Sequence, residues 1–151
     1  FRFPGAIESK FTNELQFKNP SSYPTIPTYR VMNPDGDIID STFNPVSDEI
    51  CIEMYLHMVG VSIMDVIMFD AQRQGRLSFY ITCHGEEGIG VGTASVLKDE
   101  DVIFSQYREA GVLKQRGFEF RDFMSQLFAN RKDPGMGRNM PVHYGSKALN
   151  I

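Results

Sequence analysis

Cysteine is scarce in this sequence of 151 residues, which holds only Cys51 and Cys83. The two form neither a CxxC pair nor a disulfide framework, so the sequence favours a reducing compartment. No apolar run approaches the roughly 20 residues that span a bilayer, and we therefore expect no transmembrane helix. No signal or transit peptide is visible, so no targeting segment indicates a location.

Motifs of several common site classes are also missing. A GxSxG elbow, a P-loop and an EF-hand loop are absent, and the three histidines lack the spacing of zinc ligands. We expect His57, in a helix, to be structural, while His143, on a Gly-rich loop, suits either a structural or a ligand-facing role. Residues 88–92 have their third glycine misplaced for a dinucleotide loop. Glu86 and Glu87 before them suit either acid–base chemistry or a helix start.

Charge is divided unevenly along the chain. Residues 1–100 hold 7 basic and 14 acidic side chains, a net charge of -7, whereas residues 101–151 hold 8 and 5, a net charge of +3. Chance surface composition explains this division as well as an anion site does. Because the cations are dispersed and no aromatic RNA-binding motif accompanies them, nucleic acid is not an expected partner. A small phosphorylated ligand fits better.

Proline marks a boundary within the chain. Six of the eight prolines lie in residues 1–45, where helices and central strands are hard to build, so we predict an extended N-terminal arm over residues 1–46. The segment 33–36, Asn-Pro-Asp-Gly, predicts a small hairpin within the arm. The arm's seven aromatic residues should pack on the body of the domain or on a partner subunit.

Residues 47–151 predict an α/β domain. Ser47 is a good helix cap and Gly75 a good stop, which predicts a helix of about 28 residues, roughly 42 Å long. Its broad apolar face should be buried on several sides. The remaining pattern predicts strands at 77–82 and 102–104 and helices near 85–97 and 119–129. Two strands leave a parallel sheet incomplete, so we expect the chain to be a piece of a larger domain.

The segment 104–111, FSQYREAG, places Gln106, Tyr107 and Arg108 directly after the short apolar strand. In one interpretation it is a surface turn in which Arg108 pairs with Glu109 or another acid. In the other, Arg108 lies at the carboxyl end of a strand, where open α/β folds bind ligands, and its guanidinium takes phosphate oxygens in bidentate fashion. Tyr107 would add a hydroxyl donor to the same anion. Composition alone leaves both interpretations open.

Five segments together resemble a known family. They are YRVMNPDG (29–36), QRQGRLSFY (72–80), GEEGIGVGTASVL (85–97), QYREAGVL (106–113) and GRNMPVHYG (137–145). With their spacing they cover most of the chain, which resembles the N-terminal part of the alpha subunits of the thiamine diphosphate-dependent 2-oxo acid dehydrogenases. The pyruvate members have a GQE-type motif and YRAHG where this chain has GEEG and YREAG. The branched-chain (2-oxoisovalerate) members therefore fit better, with a pyruvate-type alpha subunit as the alternative.

The resemblance implies a fold, a chemistry and partners. It implies the N-terminal part of a thiamine diphosphate-binding fold in an enzyme that decarboxylates branched-chain 2-oxo acids oxidatively and passes the acyl group to a lipoyl arm, in branched-chain amino acid catabolism. The implied partners are a beta subunit, in an alpha2beta2 heterotetramer, and a lipoyl-bearing acyltransferase core. The implied location is the mitochondrial matrix, or the cytoplasm of a bacterium. No nucleic acid or membrane is expected as a partner.

The resemblance also implies roles for individual residues. Tyr107 and Arg108 should hold the diphosphate, with Gln106 beside them, and Phe79, Gln106 and Tyr107 should lie by the pocket for the branched acyl chain. No catalytic residue or metal ligand is expected within the chain, because the GDG…N signature that places Mg²⁺ and the catalytic histidine should follow after Ile151. We therefore expect the chain alone to be inactive. The alternative is a truncated, non-catalytic product that only binds the beta subunit.

Overall fold

The computed structural model describes residues 12–43 and 46–151. Contacts between Cα atoms divide the chain into two compact units, Phe1–Asn44 and Pro45–Ile151. The predicted arm, residues 1–46, contains the whole of the first unit, and the predicted α/β domain, residues 47–151, lies within the second.

The first unit, where described, is held together by local hydrogen bonds. The Asn33 carbonyl accepts from the Gly36 amide at 3.1 Å, and Gly36 has a φ of 95°, a conformation that glycine adopts without steric cost. One antiparallel bridge joins Met32 to Ile38. The predicted hairpin is therefore present in a minimal form, and a single 3-10 turn, Pro20–Ser22, precedes it.

The aromatic residues of the arm are exposed where they are described, namely at Phe17, Tyr23, Tyr29 and Phe43. Phe1, Phe3 and Phe11 lie outside the described residues. Packing of these rings on the body of the domain or on a partner subunit stays a prediction.

The second unit is helical. Its helices are α1 (Asp48–Arg73), α2 (Glu87–Ser95), α3 (Ala110–Gln115) and α4 (Phe120–Leu127), and a 3-10 turn spans Lys147–Leu149. α1 begins as predicted, because Ser47 Oγ accepts a hydrogen bond from the Ile50 amide at 3.5 Å. It ends before Gly75, whose φ of 75° lies in the left-handed region typical of helix stops. α2 and α4 also lie where helices were predicted.

The predicted sheet is wrong for this chain, since no strand forms among residues 12–43 and 46–151. Residues 77–82 and 102–104 are irregular backbone instead. In the second segment the Ile103 amide donates to the Asn150 carbonyl at 2.8 Å, without a ladder. A strand needs a neighbour to pair its N–H and C=O groups, and the described residues supply no such neighbour to either segment.

The core of the second unit lies under the middle of α1. Phe123 is at its centre, with its ring centroid 4.8 Å from those of Phe118 and Tyr144, both in edge-on contact. Met64 and Met68 of α1 belong to the same buried cluster. Further members of the cluster are Val61, Leu77, Tyr80, Cys83, Ala110, Leu113, Leu127 and Val142.

α1 is not buried on several sides as predicted, since Val61, Met64, Asp65 and Met68 are its buried residues. Most of its other apolar side chains are exposed, namely Ile50, Ile52, Tyr55, Leu56, Ile63, Val66, Ile67 and Phe69. By length and composition α1 is apolar enough to cross a membrane, which corrects the expectation that no such segment exists. A core helix has the same length and composition, so this feature alone does not assign a membrane location.

Candidate functional site

The polar turn of residues 105–109 leads directly into α3. Glu109 precedes that helix, and its Oε2 accepts hydrogen bonds from the amides of Gln106 at 2.9 Å and Arg108 at 3.0 Å. One carboxylate thus satisfies two backbone donors and closes the turn. As a result, the side chains of residues 106–108 are left exposed at the surface.

Two glycines bring the start of α2 beside this turn. A Cβ atom built on Gly90 would lie 3.3 Å from the Cα atom of Gly111, and one built on Gly111 would lie 3.3 Å from the amide nitrogen of Val91. Those distances are shorter than normal Cβ contacts, so α2 and α3 touch backbone to backbone. The close approach predicted from the small residues of 85–97 is therefore confirmed. It places Glu86, before α2, close to the turn before α3.

Arg108 forms an ion pair with Glu86, not with Glu109. Its Nη1 lies 3.2 Å from Glu86 Oε1, and the two side chains are 47% and 43% exposed. The surface-pair interpretation of Arg108 is thus found, with a partner 22 residues earlier in the chain. Within the described part of the chain the guanidinium makes no second hydrogen bond, so several of its five N–H donors face solvent.

Tyr107 lies beside His143. The two ring centroids are 6.0 Å apart with an interplanar angle of 62°, and His143 Nδ1 lies 3.0 Å from the Pro141 carbonyl. Tyr107 is 39% exposed, and among the described residues its hydroxyl has no hydrogen-bond partner. The loop of His143 therefore borders the turn, which keeps a ligand-facing role for this histidine as a prediction. His57 bonds Gln115 Oε1 at 2.8 Å through Nδ1 and has the structural role expected of it.

Phe79 lies on a different segment from the turn. Its ring is 43% exposed, next to the buried Tyr80. Among the described residues, no hydrogen bond or ring contact joins Phe79 to Gln106 or Tyr107. The structure therefore brings Gln106, Tyr107 and Arg108 together on one turn, whereas Phe79 lies on a separate segment.

Sequence reasoning missed the buried carboxylate of Asp65. This residue of α1 is 3% exposed and accepts two hydrogen bonds, from the Tyr80 hydroxyl at 2.7 Å and from the Cys83 amide at 2.6 Å. A signal was available, because Asp65 lies between Met64 and Met68 on the apolar face of the helix. An acid at such a position requires donors on the facing segment.

Burial shifts the ionisation of this cluster. It raises the pKa of the Asp65 carboxyl above its ordinary value, against the hydrogen bonds from Tyr80 and Cys83 that favour the ionised form. Burial also raises the pKa of the Tyr80 hydroxyl and brings that of the Cys83 thiol to about 11. The thiol is therefore protonated at neutral pH, and Cys83 Sγ donates to the Arg108 carbonyl at 3.2 Å.

The exposed donors of the turn suit an anion. A guanidinium and a phenol hydroxyl on adjacent residues match the acceptor-rich oxygens of a phosphate or diphosphate. The carboxylates of Glu86 and Glu109 beside them oppose an anion. That of Glu86 pairs with Arg108 in a half-exposed ion pair, and that of Glu109 accepts from two backbone amides of the turn. Among the described residues no group of three or more His, Cys, Asp or Glu side chains is placed to hold a metal ion.

Comparison with known proteins points to one enzyme class. The profile of the dehydrogenase E1 component matches residues 55–151. The chain is 50% identical over 149 residues to "2-oxoisovalerate dehydrogenase subunit alpha 2, mitochondrial" of Arabidopsis thaliana, covering 98% of this chain and 31% of the relative. It is 46% identical to "2-oxoisovalerate dehydrogenase subunit alpha, mitochondrial" of Caenorhabditis elegans, covering 99% of this chain and 35% of the relative. It is also 46% identical to the Homo sapiens subunit with the same name, covering 97% of this chain and 33% of the relative. The chain thus spans about a third of the length of these relatives.

Proposed function

Because the chain belongs to the dehydrogenase E1 component family, as its motifs predicted, we propose that it is the N-terminal portion of the alpha subunit of a branched-chain 2-oxo acid dehydrogenase. The observation that carries the proposal is the identity of 46% to 50%, over nearly the whole chain, to subunits named 2-oxoisovalerate dehydrogenase. It favours this assignment over a pyruvate-type alpha subunit. The helical second unit without a closed sheet fits a fragment of the thiamine diphosphate-binding fold.

The proposed reaction is the oxidative decarboxylation of branched-chain 2-oxo acids with transfer of the acyl group to a lipoyl arm. When bound, thiamine diphosphate supplies the nucleophilic carbon and the electron sink that this chemistry requires. In this chain Arg108 and Tyr107 bind and orient the diphosphate, and Gln106 lies beside them. Ligands for Mg²⁺ are expected outside these residues. The chain's contribution is to hold one side of the cofactor in place.

We expect the diphosphate to take over the Arg108 guanidinium from its present partner, Glu86. A half-exposed ion pair such as that with Glu86 contributes about 0–1 kcal/mol. A charged hydrogen bond in a bound complex contributes about 1.5–3 kcal/mol, and a guanidinium can make two to a phosphate group. The larger contribution favours the diphosphate, so we expect Glu86 to hold Arg108 at the surface only until the cofactor arrives.

Selectivity for branched substrates is assigned to apolar contact with Phe79 and the aromatic ring of Tyr107. A 2-oxo acid with an isopropyl group has two more carbons than pyruvate. At about 0.8 kcal/mol for each buried carbon, those two contribute about 1.6 kcal/mol, which corresponds to roughly 15-fold in kcat/KM. The half-exposed ring of Phe79 has apolar surface available for such a contact.

A beta subunit is the proposed partner, in an alpha2beta2 assembly that serves a lipoyl-bearing acyltransferase core. The exposed apolar side chains of α1 support this proposal, because an apolar surface of this kind is typical of a protein–protein interface. Ile63 and Ile67 of α1, with Phe120 and Met124 of α4, also line an apolar pocket of about 390 Å³. We propose the mitochondrial matrix as the location, supported by the word "mitochondrial" in the relatives' names.

Co-expression tests the proposal. The complete reading frame that contains this chain is expressed with a beta subunit, and thiamine diphosphate-dependent decarboxylation of 2-oxoisovalerate and of pyruvate is measured. We expect turnover of 2-oxoisovalerate with the larger kcat/KM. A preference for pyruvate would favour the pyruvate-type alternative, and association with the beta subunit without turnover would favour the non-catalytic one. The 151-residue chain alone should show no turnover.

A further inference from the structure

We infer that Asp65 is a positioning residue that fixes the orientation of the turn carrying Tyr107 and Arg108, acting through Cys83. The inference rests on the proposed function, in which the turn binds the diphosphate. It adds that a buried residue of α1, outside the turn, controls how the turn is oriented.

The first observation is that Asp65 is buried without a compensating cation. It is 3% exposed, and no lysine or arginine of the described residues lies within ion-pair distance of it. A buried carboxylate is costly unless hydrogen bonds satisfy it. Both of its oxygens are satisfied from one short segment, Oδ1 by the Tyr80 hydroxyl and Oδ2 by the Cys83 amide. Asp65 therefore attaches residues 80–83 to α1.

The second observation is that Cys83, which Asp65 holds, bonds both to the backbone of Arg108 and to the backbone of Glu86, the ion-pair partner of Arg108. Its thiol donates to the Arg108 carbonyl at 3.2 Å, which holds the backbone of the turn. Its carbonyl accepts from the Glu86 amide at 2.9 Å, which places the partner of the Arg108 guanidinium. Cys83, whose backbone amide is bound by Asp65, thus holds the backbone of the turn at Arg108 and also positions Glu86, the partner of the Arg108 side chain.

The alternative is that Asp65 only stabilises the fold. Loss of the carboxylate would then lower the melting temperature and loosen the core generally, without a specific effect on the turn. A positioning role predicts a local effect. The backbone of residues 104–110 should loosen together with residues 80–86, while α4, which forms no hydrogen bond with Asp65, should not change.

Hydrogen–deuterium exchange separates the two roles. Asp65→Asn is made in the full-length alpha subunit assembled with its beta subunit, without cofactor, and Asp70→Asn, an exposed acid on the same helix, is the matched control. In Asp65→Asn the Cys83 amide keeps at most a neutral acceptor in place of the carboxylate, so exchange should rise about tenfold in peptides covering 80–86 and 104–110. Peptides of 120–127 should keep wild-type rates. Unchanged exchange in 104–110, or an equal rise in 120–127, would overturn the inference.

A second pair of variants tests the connection at Cys83. Cys83→Ser keeps a hydroxyl donor for the Arg108 carbonyl and should leave exchange in 104–110 close to that of the wild type. Cys83→Ala removes the donor and should raise exchange in that peptide without raising it in 80–86. Equal effects of the two substitutions would show that the side-chain donor does not position the turn. This pair remains informative if Asp65→Asn fails to fold.

Cofactor titration then distinguishes this inference from the proposed function. Calorimetric titration of the same assemblies with thiamine diphosphate and Mg²⁺ should give about tenfold weaker binding for Asp65→Asn, with kcat at saturating cofactor within about twofold of wild type. If the wild-type assembly itself binds no thiamine diphosphate, the proposed function fails, whatever the exchange data show. If the wild type binds and Asp65→Asn binds equally well, the positioning role fails while the proposed function stands.

Discussion

Replacing Arg108 by alanine should weaken thiamine diphosphate binding without destabilising the subunit. In the fold, Arg108 makes one half-exposed ion pair, with Glu86 at 3.2 Å, so its loss should change the free energy of unfolding by less than about 1 kcal/mol. In the complex, the guanidinium would donate charged hydrogen bonds to the diphosphate, for which the expected loss is about 1.5–3 kcal/mol. The dissociation constant should rise by roughly 10- to 160-fold.

The assay is calorimetric titration of the full-length alpha–beta assembly with thiamine diphosphate at fixed Mg²⁺, beside urea denaturation of each variant. Arg121→Ala is the matched control, because Arg121 is an 84% exposed arginine on α4, outside the turn, and its ion pair is with the neighbouring Asp122. It should leave the dissociation constant within about twofold of wild type. Arg108→Lys keeps the charge but loses the planar fork, so it should recover only part of the affinity.

Two results would refute the reasoning about Arg108. If Arg108→Ala binds the cofactor as tightly as wild type, the residue is only the surface partner of Glu86. If Arg108→Ala loses affinity but also loses several kcal/mol of unfolding free energy, its effect on the cofactor is an indirect consequence of lost structure.

Three further predictions concern the surroundings of the site and the arm. Glu86→Gln removes the competitor for Arg108 and should tighten diphosphate binding up to about fivefold in the same titration; weaker binding would show that Glu86 supports the site. Gly111→Val forces a side chain against the backbone of α2 and should cost about 1–3 kcal/mol in denaturation experiments, whereas an unchanged midpoint would contradict the close helix contact. Hydrogen bonds, above all from Thr42, lower the pKa of Asp40 to about 2. The stability that the ionised carboxylate contributes is therefore complete above about pH 4 and is lost as the pH falls through about 2. A carboxyl NMR titration midpoint near 4 would contradict this.

Local signals predicted the helices better than the sheet. Ser47 and Gly75 mark the ends of α1 because a cap and a left-handed stop depend on neighbouring residues alone. The segments 77–82 and 102–104 have strand-like composition, but a strand forms only when another segment pairs with it, and that information is not local. α3 was missed because six residues, Ala110–Gln115, are too short for a periodic pattern.

The site shows the same division between local and non-local information. The exposure of Gln106, Tyr107 and Arg108 follows from their position in a polar turn, and the sequence indicated it. The identity of the acid that pairs with Arg108 did not follow from sequence proximity. Glu109 is adjacent but uses its carboxylate on backbone amides of the turn, which leaves the guanidinium to Glu86 across the contact between α2 and α3.

The extent of burial of α1 was overestimated for a related reason. Its broad apolar face predicted a helix covered on several sides, but periodicity does not say which residues cover it. In this chain Val61, Met64 and Met68 are buried, whereas Ile63, Val66 and Ile67 are exposed. Coverage of these exposed residues by a partner subunit stays a proposal.

The most direct test of the account is a crystal structure of the full-length alpha–beta assembly with thiamine diphosphate and Mg²⁺. We predict that the diphosphate oxygens lie within hydrogen-bond distance of the Arg108 guanidinium and the Tyr107 hydroxyl, with Glu86 displaced from Arg108 and the turn still held by Cys83. A cofactor bound elsewhere, with the pair of Arg108 and Glu86 intact, would contradict the account.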